Sequence, residues 1–358
     1  MPSPKRSSIR VALDVMGGDL GPREAVRAAA LISKTTTIHV LLVGQRATIE
    51  AELAQVDHDP SRLQIVDASE VITMDEKPRD ALAAKPDASL LVAMRAVAEG
   101  DADALVSAGS TGALVLAAAQ VLPRIPGIER SALAAVYPTR KRTSSPDPFA
   151  LLLDVGATVR VRARDLLFFA YMGHAYASRI SKVARPTIGL LNMGSEPTKG
   201  DEVLREAHRL LAGDPLLNFV GNVEGNDIPT GGADVIVCEG YVGNVALKMA
   251  EGVTEVLRGL GKQAFKARLG WRLGLLLLAS GLRQLKTTTD YREYGGAPLL
   301  GFRAPVIKAH GRSGASAIAN AIKVAAKAAR DGVCQEIERA VAGFLAREGG
   351  DPGGPGAS

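Results

Sequence analysis

The chain has 358 residues, of which 47% are hydrophobic and 23% charged. That balance excludes intrinsic disorder for the body of the chain and supplies ample apolar material for a core. Aromatic residues make up only 4%, whereas Ala, Gly and Leu are plentiful, which favours tightly packed helices on a sheet over an all-β barrel. The two cysteines, Cys238 and Cys334, are too few for a disulfide scaffold and suit a reducing cytoplasm. Basic residues outnumber acidic ones by 43 to 38, for a formal charge of +5. Such an excess fits nucleic acid, an anionic membrane surface or an acidic partner, and its distribution must discriminate among them.

Residues 1–8 contain no apolar h-region, so no signal peptide is expected and the segment reads as disordered. Ile9–Val15 predicts a first strand, followed by a helix that Pro22 opens at its first turn. Strands are expected at Ile38–Val43 and Leu63–Val66, with a helix around Thr48–Gln55 between them. Helix Ala88–Glu99 leads into strand Ala104–Ser107 and helix Thr111–Leu122. Further strands are expected at Ala132–Val136, Ala150–Asp154, Thr187–Leu191, Asn218–Gly221 and Val235–Cys238. These runs are apolar on both faces, as buried parallel strands are. The expected fold class is therefore α/β, a mostly parallel sheet with helices on both faces, forming one domain over residues 9–345. Residues 346–358 read as a flexible tail. No apolar run approaches the ~18 residues that would span a bilayer, so an intracellular, non-transmembrane protein is expected.

The chemistry is expected in the turns after the strands. Asp14–Asp19 carries Gly17 and Gly18; Ser107–Gly112 carries Gly109, Ser110 and Thr111; Asp154–Thr158 carries Gly156. The second half adds Asn192–Ser195 with Gly194, Asn222–Asn226 with Gly225, and Glu239–Asn244 with Gly243. Any one of these reads equally well as ordinary loop chemistry, but six together favour a crevice beyond the carboxyl ends of the strands. Ser107–Gly112 is the best phosphate candidate, because hydroxyls and backbone N–H groups precede a helix N-terminus. It is neither a P-loop nor a dinucleotide fingerprint, so a bare phosphate or phosphorylated small molecule fits better than a nucleotide. Gly-x-Ser-x-Gly is absent, and with it a nucleophile elbow.

In Val306–Gly311, Lys308 and His310 project to the same side of an extended strand end. Lys308 could hold phosphate as a point charge and His310 could relay a proton, although a surface lysine beside a capping histidine would share this spacing. His174 reads as packed between helices, and His39, His58 and His208 as structural; Cys238 reads as an inert buried thiol. No metal-ligand set and no cofactor are expected. Residues 256–289 include Arg268, Arg272 and five further Lys or Arg side chains without one Asp or Glu, around the apolar run Trp271–Leu282 with Leu275, Leu276, Leu277 and Leu278. The pattern fits a helix in an anionic membrane interface, a contact for an acidic carrier protein, a dimer interface or a buried core helix. Nucleic acid is disfavoured, since the interleaving is Leu-rich and offers little aromatic stacking.

Together these motifs resemble the bacterial phosphate acyltransferase PlsX family. The resemblance is carried, in order, by Ala12–Asp19, Ser107–Ala113, Asn192–Gly200, Gly221–Asn226, Val237–Val245, Gly295–Gly301 and Val306–Gly311, and spans roughly residues 9–330. It implies transfer of a long-chain acyl group from acyl carrier protein to inorganic phosphate, giving acyl phosphate for a membrane acyl-phosphate:glycerol-3-phosphate acyltransferase of phospholipid synthesis. It also implies an isopropylmalate dehydrogenase- and phosphotransacetylase-like fold, a homodimer, and a cytoplasmic location with peripheral attachment to the inner face of the cell membrane. Family members often carry Asn where Ser110 and Thr158 stand here. On this basis phosphate is expected at Ser107–Gly112 with Lys308, the oxyanion at Asn192 and Asn244, and the proton at His310, with Asp14 and Asp154 orienting them. Gly17, Gly18, Gly194, Glu239 and Gly243 complete the expected binding set. A dehydrogenase on the same fold, a scaffold protein and a short-chain phosphotransacylase are the rival readings.

Overall fold

The computed structural model describes residues 8–139, 149–267, 278 and 295–349. The first half alternates strands β1 (Arg10–Asp14), β2 (His39–Gly44), β3 (Leu63–Asp67) and β4 (Ala104–Ser107) with helices α1 (Pro22–Thr35), α2 (Arg46–Leu53), α3 (Pro78–Ala84), α4 (Ser89–Ala98) and α5 (Thr111–Val121). There follow β5 (Ala132–Pro138), β6 (Phe149–Leu153), α6 (Ala163–Arg179), β7 (Thr187–Leu191), α7 (Glu202–Gly213), β8 (Asn218–Val223), the short α8 (Asp227–Thr230), β9 (Val235–Val237) and the long α9 (Gly240–Ala267). The chain closes with β10 (Ala297–Leu300), β11 (Val306–Lys308), α10 (Ala315–Arg330) and α11 (Val333–Gly349). Helix α11 runs through the boundary expected at residue 345; the tail beyond 349 and residues 1–7 lie outside the described residues.

All the strands among the described residues join one sheet in the order β3-β2-β1-β4-β11-β10-β5-β6-β9-β7-β8. Pairing is parallel except for β10 with β11, β10 with β5, and β5 with β6. The sheet is thus mostly parallel, as expected, but β6, β9, β7 and β8 run opposite to β1–β4 and β11.

Three apolar clusters hold the layers together, each built on alternate residues of the strands. Val11, Leu13, Val40, Leu42 and Ile307 pack under α1 and α10. On the opposite face Ala12, Leu41, Leu105 and Val306 share a cluster with residues of α4 and α5, and Leu133 and Leu152 extend it. Leu151, Leu153, Ile188 and Val235 pack under α6 and α11, where Phe169 and Tyr171 are buried. Each fully buried Leu or Ile contributes on the order of 2–3 kcal/mol, so the sheet edge that carries the polar residues below is rigidly framed.

Candidate active site

β1, β4 and β11 lie side by side, and the register sets Asp14 opposite Ser107 and Ser107 opposite Lys308. A carboxylate, a hydroxyl and an ammonium therefore end three neighbouring strands on one line, and all three are buried. Asp14 accepts from Ser107 Oγ at 2.7 Å and from Ser89 Oγ at 2.6 Å. Ser107 Oγ in turn accepts from the Gly109 amide at 3.0 Å. Burial pushes the Asp14 carboxyl up, against the opposing effect of these hydroxyls and the amides of Gly17 and Met16. The turn after β1 touches the turn after β4 closely: a Cβ on Gly17 would stand 2.6 Å from Asp14 Oδ2 and 2.8 Å from the Gly109 nitrogen. No other residue type fits there without displacing the pair.

Lys308 is only 8% exposed. Its ammonium donates to the carbonyls of Ala108, at 3.3 Å, and of Ala309. Burial lowers its pKa to about 8, opposed by Asp19 and Asp14 and reinforced by Lys248. It opens into a cavity of ≈ 280 Å³ shared with Thr111, His310 and Ser313. Thr111 is the first residue of α5, whose N-cap Ser110 makes no side-chain bond to the helix end. The first amides of α5 therefore lack intrahelical acceptors and favour an anion beside Lys308. His310 Nδ1 accepts from the Arg312 amide at 3.1 Å, so the neutral ring carries its proton on Nε2.

The opposite wall comes from α9, where Asn244 and Lys248, and Leu247 and Glu251, recur at the i, i+4 spacing of one helix face. Lys248 Nζ lies 2.9 Å from Glu251 Oε2. Leu133, Ala135, Val136, Val155 and Ala297 add an apolar surface. The cavity thus joins a cationic, amide-rich end to a greasy side, which suits an anion meeting an acyl group.

Asp154 builds this wall and is not among the cavity-lining residues. Its Oδ1 accepts from the amides of Leu133, Gly156 and Ala157 at 2.9, 3.0 and 2.9 Å. Its Oδ2 accepts from the Thr158 amide and hydroxyl at 2.8 and 2.9 Å. Burial pushes its carboxyl up while these bonds oppose the shift. Thr158 Oγ1 accepts from the Gly240 amide at 3.1 Å, which seats the start of α9. At Gly243 a Cβ would fall 1.9 Å from the Asp154 carbonyl oxygen, so the helix can dock only with glycine there.

The six strand-end turns do not meet in one crevice. Gly156 of the Asp154 turn and Asn244 of the Glu239 turn line the cavity together with Thr111 of the Ser107 turn and with Lys308, whereas no residue of the Asn192 or Asn222 turn is among its lining residues. Asn192 closes its own turn, donating to the Lys199 carbonyl at 3.1 Å and accepting from the Met193 amide at 2.8 Å. Asn222 likewise donates to the Glu196 carbonyl at 2.7 Å and shares a 3.0 Å hydrogen bond with His208 Nδ1. Asn192, Gly194 and Glu239 are not among the cavity-lining residues. Burial lowers the His174 pKa, and its Nδ1 has no hydrogen-bond partner among the described residues. The buried Cys238 thiol donates to the Asp154 carbonyl at 3.2 Å, and burial pushes its pKa far up, as an inert thiol requires. Arg268, Trp271, Arg272, Leu275, Leu276 and Leu277 lie outside the described residues; Leu278 is exposed. Lys248, Glu251 and Ser313 escaped the sequence reading, although the i, i+4 spacing from Asn244 points to Lys248.

This architecture defines an α/β enzyme fold shared with phosphotransacetylases. The phosphotransacetylase of Streptococcus pyogenes superposes with a TM-score of 0.63 at 21% identity, covering 90% of this chain and 94% of the other. The 4-hydroxythreonine-4-phosphate dehydrogenase of Klebsiella pneumoniae gives 0.52 at 12% identity, over 90% of this chain and 100% of the other. The family described as fatty acid synthesis protein matches residues 9–336. The phosphate acyltransferase of Heliobacterium modesticaldum is 48% identical over 334 residues, 93% of this chain and 96% of the relative. That of Moorella thermoacetica is 46% identical over 91% of this chain and 94% of the relative. The chain belongs to this fatty acid synthesis family of phosphate acyltransferases.

Proposed function

We propose that the protein transfers a long-chain fatty acyl group from acyl carrier protein to inorganic phosphate, releasing acyl phosphate for phospholipid synthesis. The observation that carries this reading is the single cavity in which Lys308, His310 and the start of α5 face the apolar wall of β5 and α9. A phosphate oxygen attacks the thioester carbonyl, the C–O bond forms, and the C–S bond breaks from a tetrahedral oxyanion. Phosphate is the nucleophile, so no activated Ser or Cys is needed. The Lys308 ammonium and the Thr111, Gly112 and Ala113 amides hold the phosphate; Ser107 and Asp14 fix the turn behind them. Asn244 donates to the oxyanion, and the Nε2–H of His310 hydrogen-bonds the departing thiolate, which takes up the proton released by the attacking hydrogen phosphate.

The exposed face of α9 supports a homodimer. Val242, Val245, Met249, Val253, Val256 and Leu260 recur every three or four residues and are exposed, a stripe of the kind a second helix covers. No helix among the described residues is long and apolar enough to cross a membrane. Peripheral attachment to an anionic bilayer rests on the composition of residues 256–289. Bilayer contact would keep the acyl phosphate near the membrane acyl-phosphate:glycerol-3-phosphate acyltransferase.

The test is phosphate-dependent release of thiol from palmitoyl-acyl carrier protein, with acetyl-coenzyme A as the parallel substrate. Release from the carrier thioester supports the proposal. Release from acetyl-coenzyme A alone would assign the chain to short-chain transfer.

A further inference from the structure

Ser89, the first residue of α4, has no part in the phosphate and acyl contacts above, yet its hydroxyl ends on the central carboxylate. It is 2% exposed. Its position at a helix start suggests a cap, but the N-cap of α4 is Ala88 with no side-chain bond. The hydroxyl turns into the core instead and donates to Asp14 Oδ1 at 2.6 Å.

A relay follows from counting protons. Ser89 and Ser107 each have one hydroxyl proton, and both give it to Asp14. Ser107 Oγ is thereby oriented as the acceptor for the Gly109 amide, which sets the turn entering α5. Only an ionised carboxylate accepts on both oxygens at once; a protonated Asp14 would have to donate to one hydroxyl and turn it round. The same negative charge, with that of Asp19, favours the buried Lys308 ammonium, while Lys248 on α9 opposes it.

We propose that Ser89 is a positioning residue for the phosphate site: its hydrogen bond keeps Asp14 ionised, and Asp14 then orients the Ser107–Gly109 turn and retains the Lys308 ammonium. The inference rests on the phosphate reading given above. It assigns Ser89 no contact with substrate.

The experiment is calorimetric titration with inorganic phosphate between about pH 6 and 9, across which a buried lysine of this kind changes charge. Wild type is compared with Ser89→Ala, Ser89→Cys and Ser89→Thr. Ser89→Ala should weaken phosphate binding roughly ten- to a hundredfold, as expected for one lost hydrogen bond to a charged group. Its binding should also fall off at lower pH than wild type, because Lys308 loses its proton earlier beside a neutral Asp14. Ser89→Thr, which keeps the hydroxyl, restores both properties. Should Ser89→Ala fail to fold, Ser89→Cys keeps the volume with a poor donor and is expected to show the same weakened, shifted profile. A folded Ala or Cys variant with wild-type affinity at every pH overturns the proposal, as does a wild-type protein that binds no phosphate. A wild type that binds phosphate but transfers no acyl group would sink the acyltransfer reading alone, leaving the Ser89 comparison intact.

Discussion

The Lys308 ammonium sits against the carbonyl of Ala108, the residue that follows Ser107 on the adjacent strand, so the only lysine at the carboxyl end of β11 is clamped to the phosphate-candidate turn by main-chain geometry. Burial lowers its pKa to about 8. The charged form therefore predominates below about pH 8, and phosphate-dependent turnover should decline as pH rises through that value.

The same burial makes Lys308 a cost to the fold. An unfolded lysine keeps its proton to about pH 10.4, so between about 8 and that value the unfolded chain binds more protons and stability rises with pH; below it the full cost remains, roughly 3 kcal/mol. Lys308→Met should raise the melting temperature at pH 7 while lowering turnover by orders of magnitude. A variant that is both less stable and fully active would remove Lys308 from the site.

His310→Ala should reduce turnover by roughly 10²–10⁴-fold, the range of general acid–base groups. Phosphate affinity should change little, because the anion is held by Lys308 and α5. Steady-state kinetics separating kcat from KM for phosphate checks this; a change confined to KM would make His310 a binding group.

Gly243→Ala should destabilise the protein by about 1–3 kcal/mol, the range for forcing extra volume into a packed contact. The added methyl would strike the Asp154 carbonyl and lift the start of α9. Denaturant unfolding measures the loss. An unchanged midpoint would show that α9 does not dock on the Asp154 loop.

Val256→Glu with Leu260→Glu should convert a dimer to a monomer in sedimentation, since both side chains lie on the exposed α9 stripe. Leu276→Glu with Leu277→Glu should instead abolish binding to anionic vesicles with the dimer intact. A dimer that survives the first pair would place the self-contact elsewhere.

Much of the fold was legible because its strands are short apolar runs closed by glycine turns, as in Ala104–Ser107 and Thr187–Leu191. Strand β10 was not, since Pro298 in a four-residue run argues against a central strand, yet it pairs with Ile307 between β11 and β5. Strand direction has no local signature, so the reversal at β5–β6 was invisible. Lys308 and His310 were readable from spacing, and Thr111 from the helix start. Ser89 was not, because its hydroxyl finds Asp14 only through the packing of α4 on β1.

The most direct test of phosphate as the nucleophile is turnover with ¹⁸O-labelled inorganic phosphate and palmitoyl-acyl carrier protein, with the product analysed by mass spectrometry and phosphorus NMR. Palmitoyl phosphate is expected to retain the label in every phosphate oxygen, including the one bridging carbon and phosphorus. Free palmitate formed without labelled acyl phosphate would contradict this and show water as the nucleophile.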